Sequence, residues 1–212
     1  MIRYFDEIKN LIDKNGTFVG DTETKKTSIQ AVEALAKSLL GSTLYIRGNK
    51  YIIRMLEIYY GGIGDDAHDW YRTNFIYKKS KYREQTTVQN SKGFRIYLSS
   101  NNIDDTYTRF DIVAGHEGVP VSFLIRSVWD SNFDIIGEKN GSPNTILKAM
   151  GLNAEDHNKI VEIDDPNSEI NIQNTSNEIM NQRKLTVKQQ PRINLKSGFE
   201  EGNGVLWNFL LE

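Results

Sequence analysis

Glu57 is the side chain of this sequence that could most directly do chemistry. It follows Met55 and Leu56 in an apolar stretch with the composition of a strand, and these neighbours would hold its carboxylate partly out of water. A partly desolvated carboxylate is suited to act as a general base. In a strand, Tyr59 would point to the same face as Glu57. The alternative interpretation is a glutamate on the solvent side of a strand.

The composition excludes several other kinds of site. The 212-residue chain has no cysteine, which excludes disulfides, zinc–thiolate sites and thiol nucleophiles. Its histidines, His68, His116 and His157, are far apart and lack the spacing of metal ligands, so we expect no metal or other cofactor. No apolar run approaches the roughly 20 residues of a membrane span, so we expect a cytoplasmic protein without a membrane partner. The net charge of −2 disfavours a DNA-binding surface, since affinity for DNA comes largely from neutralised phosphates.

Helical periodicity and strand composition divide the chain into elements. Helices are predicted over Met1–Lys14, from Ser28 to Gly41 and over Asn144–Gly151, with a polar connector at residues 17–27. Strands are predicted over Thr43–Arg47, Tyr51–Tyr60, Phe94–Leu98, Phe110–Val113, Val121–Trp129, Arg192–Leu195 and Val205–Leu211, with a turn at Gly48-Asn49. Residues 153–190 are polar, and a long loop is expected there around a strand at 160–163; the order of residues 164–190 stays open. The pattern predicts a single α+β domain with a curved, mostly antiparallel β-sheet flanked by helices.

Several segments, in order, resemble the alkyladenine (3-methyladenine) DNA glycosylase family. Ala34–Leu44 resembles the family's A-x-x-L-L-G-x-x-L, and Ile53–His68 resembles I-x-E-x-E-A-Y-x-G-x-x-D-x-A-x-H with the family's interval between glutamate and histidine. Four further segments match family motifs. Phe123–Arg126 resembles V-L-I-R-A, and Gly141–Leu152 resembles G-P-x-x-L-x-x-A-L-G-I. Pro191–Leu195 resembles P-R-I-G-I, and Leu206–Leu210 resembles P-W-R-F-Y. The resemblance implies a glycosylase-like domain over residues 28–212, with residues 1–27 outside it.

The resemblance also implies roles for individual residues. Members of the family extrude a damaged purine from duplex DNA and hydrolyse its N-glycosidic bond without a covalent intermediate. Glu57 matches the general base, and Arg126 matches an arginine near the sugar-phosphate. Tyr59, His68 and Tyr97 match the residues that stack on the extruded base. Damaged duplex DNA would then be the partner.

The chain departs from the family where the protein should meet DNA. Ser100 stands where the family has an intercalating tyrosine, although Tyr107 could take its place, and residues 101–106 lengthen that hairpin with two adjacent aspartates. Asp111 stands where an asparagine crowds the amine of guanine, and a carboxylate would accept a hydrogen bond from an amine or hydroxyl. Two functions therefore stay open: a DNA glycosylase, or a repurposed scaffold that sequesters a free adenine-containing nucleotide, as viral anti-defence proteins do. The sequence leaves the oligomeric state open.

Overall fold

A computed structural model describes residues 22–60, 93–99, 107–114, 121–137, 143–192 and 206–212, with side chains from Ile29 and, in the second range, from Phe94 onward. The predicted helix Met1–Lys14 and the residues His68 and Ser100 lie outside these ranges, as do the hairpin insertion at 101–106 and residues 193–195. No helix of the described ranges is long and apolar enough to cross a membrane.

The described elements are three α-helices, one short 3₁₀ turn and ten strands. In chain order they are α1 (Thr22–Leu39), β1 (Thr43–Ile46), β2 (Asn49–Tyr60), β3 (Gly93–Ser99), β4 (Arg109–Val113), β5 (Val121–Trp129), β6 (Ile135–Ile136), α2 (Pro143–Met150), the 3₁₀ turn (Ala154–Asp156), β7 (Ile160–Ile163), β8 (Ile170–Gln173), α3 (Ser176–Arg183), β9 (Val187–Gln190) and β10 (Asn208–Leu211). The predicted strands of β1 to β5 and the helix α2 are confirmed. Helix α1 begins at Thr22, within the stretch expected to be a connector. The sequence of these first turns contains no apolar residue, so hydrophobic periodicity gives no helix signal there.

The hairpin of β1 and β2 turns one residue earlier than predicted. Ile46 pairs with Asn49, so Arg47 and Gly48 form the two-residue loop. Both have positive φ, of 50° and 81°, which is the backbone of a type I′ turn. This turn matches the right-handed twist of the flanking strands, so it holds the register in which β2 begins.

The sheet curves until its strands close a ring. Strand β2 pairs with β1 and then β10 on one edge, and with β5 on the other edge. Since β5, β4, β3, β7, β8, β1 and β2 are neighbours in that order, these seven strands form a closed circuit, from which β6 and the β10–β9 pair extend. Among the described strands, every pair is antiparallel except β7 with β8. The predicted α+β class with a curved, mostly antiparallel sheet is confirmed.

The hydrophobic core lies on one face of this sheet. Alternate residues of the central strands are fully buried and apolar, among them Leu56, Ile58, Phe123, Ile125, Phe94, Ile96, Phe110 and Ile112. Helix α2 packs against β4 and β5, and α1 packs against β2. A register shift between β2 and β5 at residues 53–56 puts both Ile53 and Leu56 on the core side. The opposite face of β2, β4 and β5 is therefore the one that carries polar side chains.

Residues 153–190 are more regular than their composition indicates. The predicted strand at 160–163 is confirmed as β7, but the expectation of a long loop is wrong: β8, α3 and β9 fall within it. These elements are short, and their pairing partners lie elsewhere in the chain, β1 for β8 and β10 for β9. Of the two predicted closing strands, the second is confirmed as β10, whereas Arg192, at the start of the first, is not in a strand.

Candidate functional site

One residue from each of six strands contributes to a row on the polar face of the sheet. Successive Cα partners in this row are Tyr97, Asp111, Leu124, Glu57, Asn208 and Gln190. Residues directly opposite each other on paired strands point to the same face. The register therefore brings three of the predicted site residues onto one surface, since Glu57, Asp111 and Tyr97 belong to the same row.

Two further predicted residues flank this row. Tyr59 lies two positions beyond Glu57 in β2 and pairs with Ser122, and Arg126 lies two positions beyond Leu124 in β5. Side chains two positions apart in a strand share a face. Tyr59 and Arg126 consequently stand on the same face as the row, on either side of it.

Glu57 is the centre of a buried hydrogen-bonded cluster. Its side chain is fully buried, and Arg126 Nη2 donates to its Oε2 at 2.7 Å. The Tyr59 hydroxyl lies 3.1 Å from the same oxygen, and Asn208 Nδ2 lies 3.4 Å from Oε1. A buried carboxylate is tolerated in a protein when it is paired and hydrogen-bonded. The interpretation of Glu57 as a solvent-facing strand residue is therefore wrong.

These contacts limit what Glu57 can do. Each oxygen of the carboxylate already accepts at least one hydrogen bond, and the bond from Arg126 is charge-assisted and short. A water molecule activated by Glu57 has to share an oxygen with one of these donors. Oε1, whose contact with Asn208 is the longest of the three, is the oxygen at which that is least costly.

Arg192 is a second buried arginine of the site, and sequence reasoning did not single it out. Its guanidinium carbon lies 5.1 Å from the centre of the Tyr59 ring and 5.6 Å from that of Trp207. Its Nη1 lies 3.4 Å from the carbonyl oxygen of Ile58. A cation over an aromatic ring is a favourable contact, and it occupies one side of that ring.

Asp111 is fully buried in the row between Tyr97 and Leu124. The hydroxyl of Ser122 lies 3.4 Å from its Oδ1. An ionised carboxylate offers acceptor positions only, so Asp111 can hold an amine or a hydroxyl but cannot donate to a carbonyl. The acceptor role expected for Asp111 toward a ligand stays a prediction.

An aromatic group continues the site beyond Tyr97. The ring of His157 lies 5.0 Å from that of Tyr97, tilted by 57°, and 6.1 Å from that of Tyr107, with only 14° between their planes. His157 Nδ1 accepts from the backbone N–H of Leu98 at 3.2 Å. Partial burial lowers the pKa of His157 below its ordinary value, and the hydrogen bond from Leu98 offsets only part of this effect. His157 is therefore neutral at neutral pH, with its proton on Nε2.

The predicted site residues do not all lie at one point. Glu57, Tyr59 and Arg126 form a contacting cluster, whereas Tyr97 lies three strands away along the row, about 14 Å at the usual strand spacing. His68 lies outside the described residues. Asn208 and His157 were not expected in the site from the sequence: Asn208 lies in a predicted strand and motif match that gave it no role, and His157 is a lone histidine in a polar segment. Within the described ranges, no group of three histidine, aspartate or glutamate side chains could hold a metal ion.

The comparisons with known proteins add no family to this description. No protein-family model matches the chain, and no curated protein matches it. The resemblance to the alkyladenine DNA glycosylases therefore stays a prediction that rests on the sequence motifs quoted above.

Proposed function

We propose that this protein binds a purine base through a domain with the fold of the alkyladenine DNA glycosylases and hydrolyses the N-glycosidic bond of damaged purines in DNA. The observation that carries the proposal is the buried cluster of Glu57, Arg126 and Tyr59 on the polar face of the sheet. Isolated buried carboxylates and guanidinium groups are costly, and clusters of them in a fold often belong to functional sites. Asp111 and Tyr97, in the same row as Glu57, supply an acceptor and an aromatic ring.

The proposed reaction assigns one task to each residue. A purine stacks on Tyr59, and Asp111 accepts a hydrogen bond from an amine. Glu57 takes a proton from water as the water oxygen bonds to C1′ of the sugar. The C1′–N bond breaks, and its electron pair leaves with the base. An alkylated, cationic base departs neutral, and a neutral base such as hypoxanthine takes up a proton from solvent as it departs. Arg126 positions the carboxylate of Glu57 throughout.

A second candidate function is sequestration of a free adenine-containing nucleotide. Two observations favour it: both oxygens of Glu57 already accept hydrogen bonds, and the chain carries a net charge of −2. A carboxylate held by several donors is a fixed acceptor for a ligand, whereas a general base needs an oxygen that water can reach. A near-neutral chain also lacks the excess positive charge that most duplex-binding domains use.

The experiment that tests the proposal is base release under single-turnover conditions. Duplexes with hypoxanthine, ethenoadenine or 3-methyladenine are incubated with the wild type and with Glu57→Gln. Glu162→Gln, in β7, is the matched control, since it removes a carboxylate from a strand outside the Glu57 cluster. Release should fall by about 10²- to 10⁴-fold in Glu57→Gln, the usual contribution of a general base, and stay unchanged in the control.

The two candidate functions give different results in this assay. If the wild type releases no base and shows no salt-dependent binding to the duplexes, the hydrolase proposal is refuted. Tight binding of adenine nucleotides that are recovered intact would then support sequestration. Tyr59→Ala should weaken purine binding in either case, and an unchanged affinity in that variant would reject the proposed purine site itself.

A further inference from the structure

Three aromatic side chains, Tyr97, Tyr107 and His157, form a group that we call the aromatic rim. Tyr97 is buried, whereas Tyr107 and His157 are half-buried. Each ring contacts the next, with His157 between the two tyrosines. Tyr97 also belongs to the row of paired residues that contains Glu57. The rim therefore offers partly exposed aromatic surface next to that row.

The rim lies on the polar face of the sheet. Tyr107 lies two positions before Arg109, which pairs with Ser99, and Ser99 lies two positions after Tyr97. By strand alternation Tyr97, Ser99 and Arg109 point to the face that carries Glu57, and the ring contacts connect His157 and Tyr107 to Tyr97. Three strand spacings, about 14 Å, separate Tyr97 from Glu57 along the row, a span wider than one purine ring. A base stacked on Tyr59 would leave the rim uncovered.

His157 is held in one orientation by the strand beside it. Strand β7 pairs with β3 only as far as Arg95, and backbone hydrogen bonds of Lys159 and Asn158 with Ile96 continue the ladder. At the next step of the ladder the imidazole of His157 replaces a backbone acceptor, because its Nδ1 accepts a hydrogen bond from the backbone N–H of Leu98. Because Nδ1 is the acceptor, Nε2 carries the proton and can donate to a ligand.

We propose that the ligand of this site carries two bases, and that the second base stacks on Tyr107 and His157 while the first occupies the proposed purine site at Tyr59. This inference rests on the proposed purine binding and names the class of ligand more closely. Stacking on aromatic faces suits it because every base has a π-face, so no particular second base is required. The second base belongs either to a free dinucleotide, linear or cyclic, or to the neighbour of an extruded base in DNA.

The first arm of the test compares AMP with linear and cyclic adenine dinucleotides by calorimetry. In the wild type, at least one dinucleotide should bind roughly 5- to 150-fold more tightly than AMP, the range expected for one additional stacked base. Tyr107→Ala should remove this advantage and leave the affinity for AMP unchanged. His157→Gln retains an acceptor for Leu98 N, so it tests the ring with the local backbone preserved. Tyr45→Ala, on β1, is the control for loss of a half-buried tyrosine outside the aromatic rim.

The second arm uses duplexes with one lesion, in which the base next to the lesion is present or absent. If the second base comes from DNA, its removal should weaken binding to the wild type but not to Tyr107→Ala. The inference is overturned if the wild type binds the dinucleotides no more tightly than AMP and also binds both duplexes with the same affinity. It is also overturned if the rim variants lose affinity for AMP as much as for the dinucleotides. Absence of binding to any purine ligand would refute the proposed function instead.

Discussion

Replacement of Arg126 by leucine should destabilise the protein strongly, because Arg126 pairs with a carboxylate that is fully buried. The side chain of Glu57 is 0 % exposed and that of Arg126 is 9 % exposed, with 2.7 Å between Nη2 and Oε2. Removing one partner of a buried ion pair usually costs about 3–5 kcal/mol, since the remaining charge stays buried. Tyr59 and Asn208 remain as donors to Glu57, so we expect a loss of about 3 kcal/mol, at the lower end.

The assay is urea unfolding of Arg126→Leu, Glu57→Gln and the double variant, completed as a double-mutant cycle. In Arg126→Leu alone, the buried carboxylate of Glu57 loses its cationic partner, which costs free energy. Glutamine at position 57 carries no charge, so this cost is absent from the double variant. The coupling free energy should be at least about 1 kcal/mol, within the range for residues in direct contact. In a domain of this size, a loss of 3 kcal/mol corresponds to a fall in Tm of roughly 6–12 °C.

A surface ion pair supplies the control. Lys188 Nζ lies 3.5 Å from Glu212 Oε1, and both side chains are about half exposed. Lys188→Gln should change the free energy of unfolding by less than about 1 kcal/mol, as is usual for exposed pairs. A loss below 1 kcal/mol in Arg126→Leu, or additive effects of Arg126→Leu and Glu57→Gln, would refute the claim that a buried charge pair organises the site.

Three further predictions concern pH and backbone geometry. Burial lowers the pKa of His157 below 6.5, so as pH falls the unfolded chain binds this proton before the folded chain does. The contribution of neutral His157 to the free energy of unfolding should therefore be fully present above about pH 6.5 and decrease below it. The urea midpoint of His157→Gln should decrease less over the same pH range. Burial acts to raise the pKa of Asp156, but its hydrogen bonds and neighbouring cations lower that pKa below 3.8. The stabilisation of the folded state by ionised Asp156 should be present above pH 3.8 and lost as pH falls further. Asp156→Asn should remove this loss from acid unfolding curves. Gly137→Ala would place a Cβ 2.6 Å from the carbonyl oxygen of Arg126 at a φ of +84°, whereas Gly48→Ala, at +81°, meets nothing within 4 Å. Chemical denaturation should show a loss of about 1–2 kcal/mol in Gly48→Ala and a clearly larger one in Gly137→Ala; equal losses would contradict the steric argument.

Local sequence determined the strands around the site and the face on which two of its residues lie. β-branched and aromatic residues mark β2, β4 and β5, and alternation along a strand puts Tyr59 on the face of Glu57. The contact between the two side chains, 3.1 Å, follows from that local rule. The α+β class with a mostly antiparallel sheet also followed from the order of elements. Local rules did not anticipate β8, α3 and β9, whose short polar segments are ordered by pairing and packing with other parts of the chain.

Only the tertiary structure decided which polar residues surround Glu57. Asn208 lies 151 positions further along the chain, and Arg126 lies 69 positions further. Arg126 was expected near the site from a family motif, but no periodic pattern states that it pairs with Glu57. Strand alternation predicts the face of a residue, but its neighbour across the sheet depends on register. Here the register follows from closure of the seven-strand ring and from the irregularity in β2, both of which depend on contacts between distant segments.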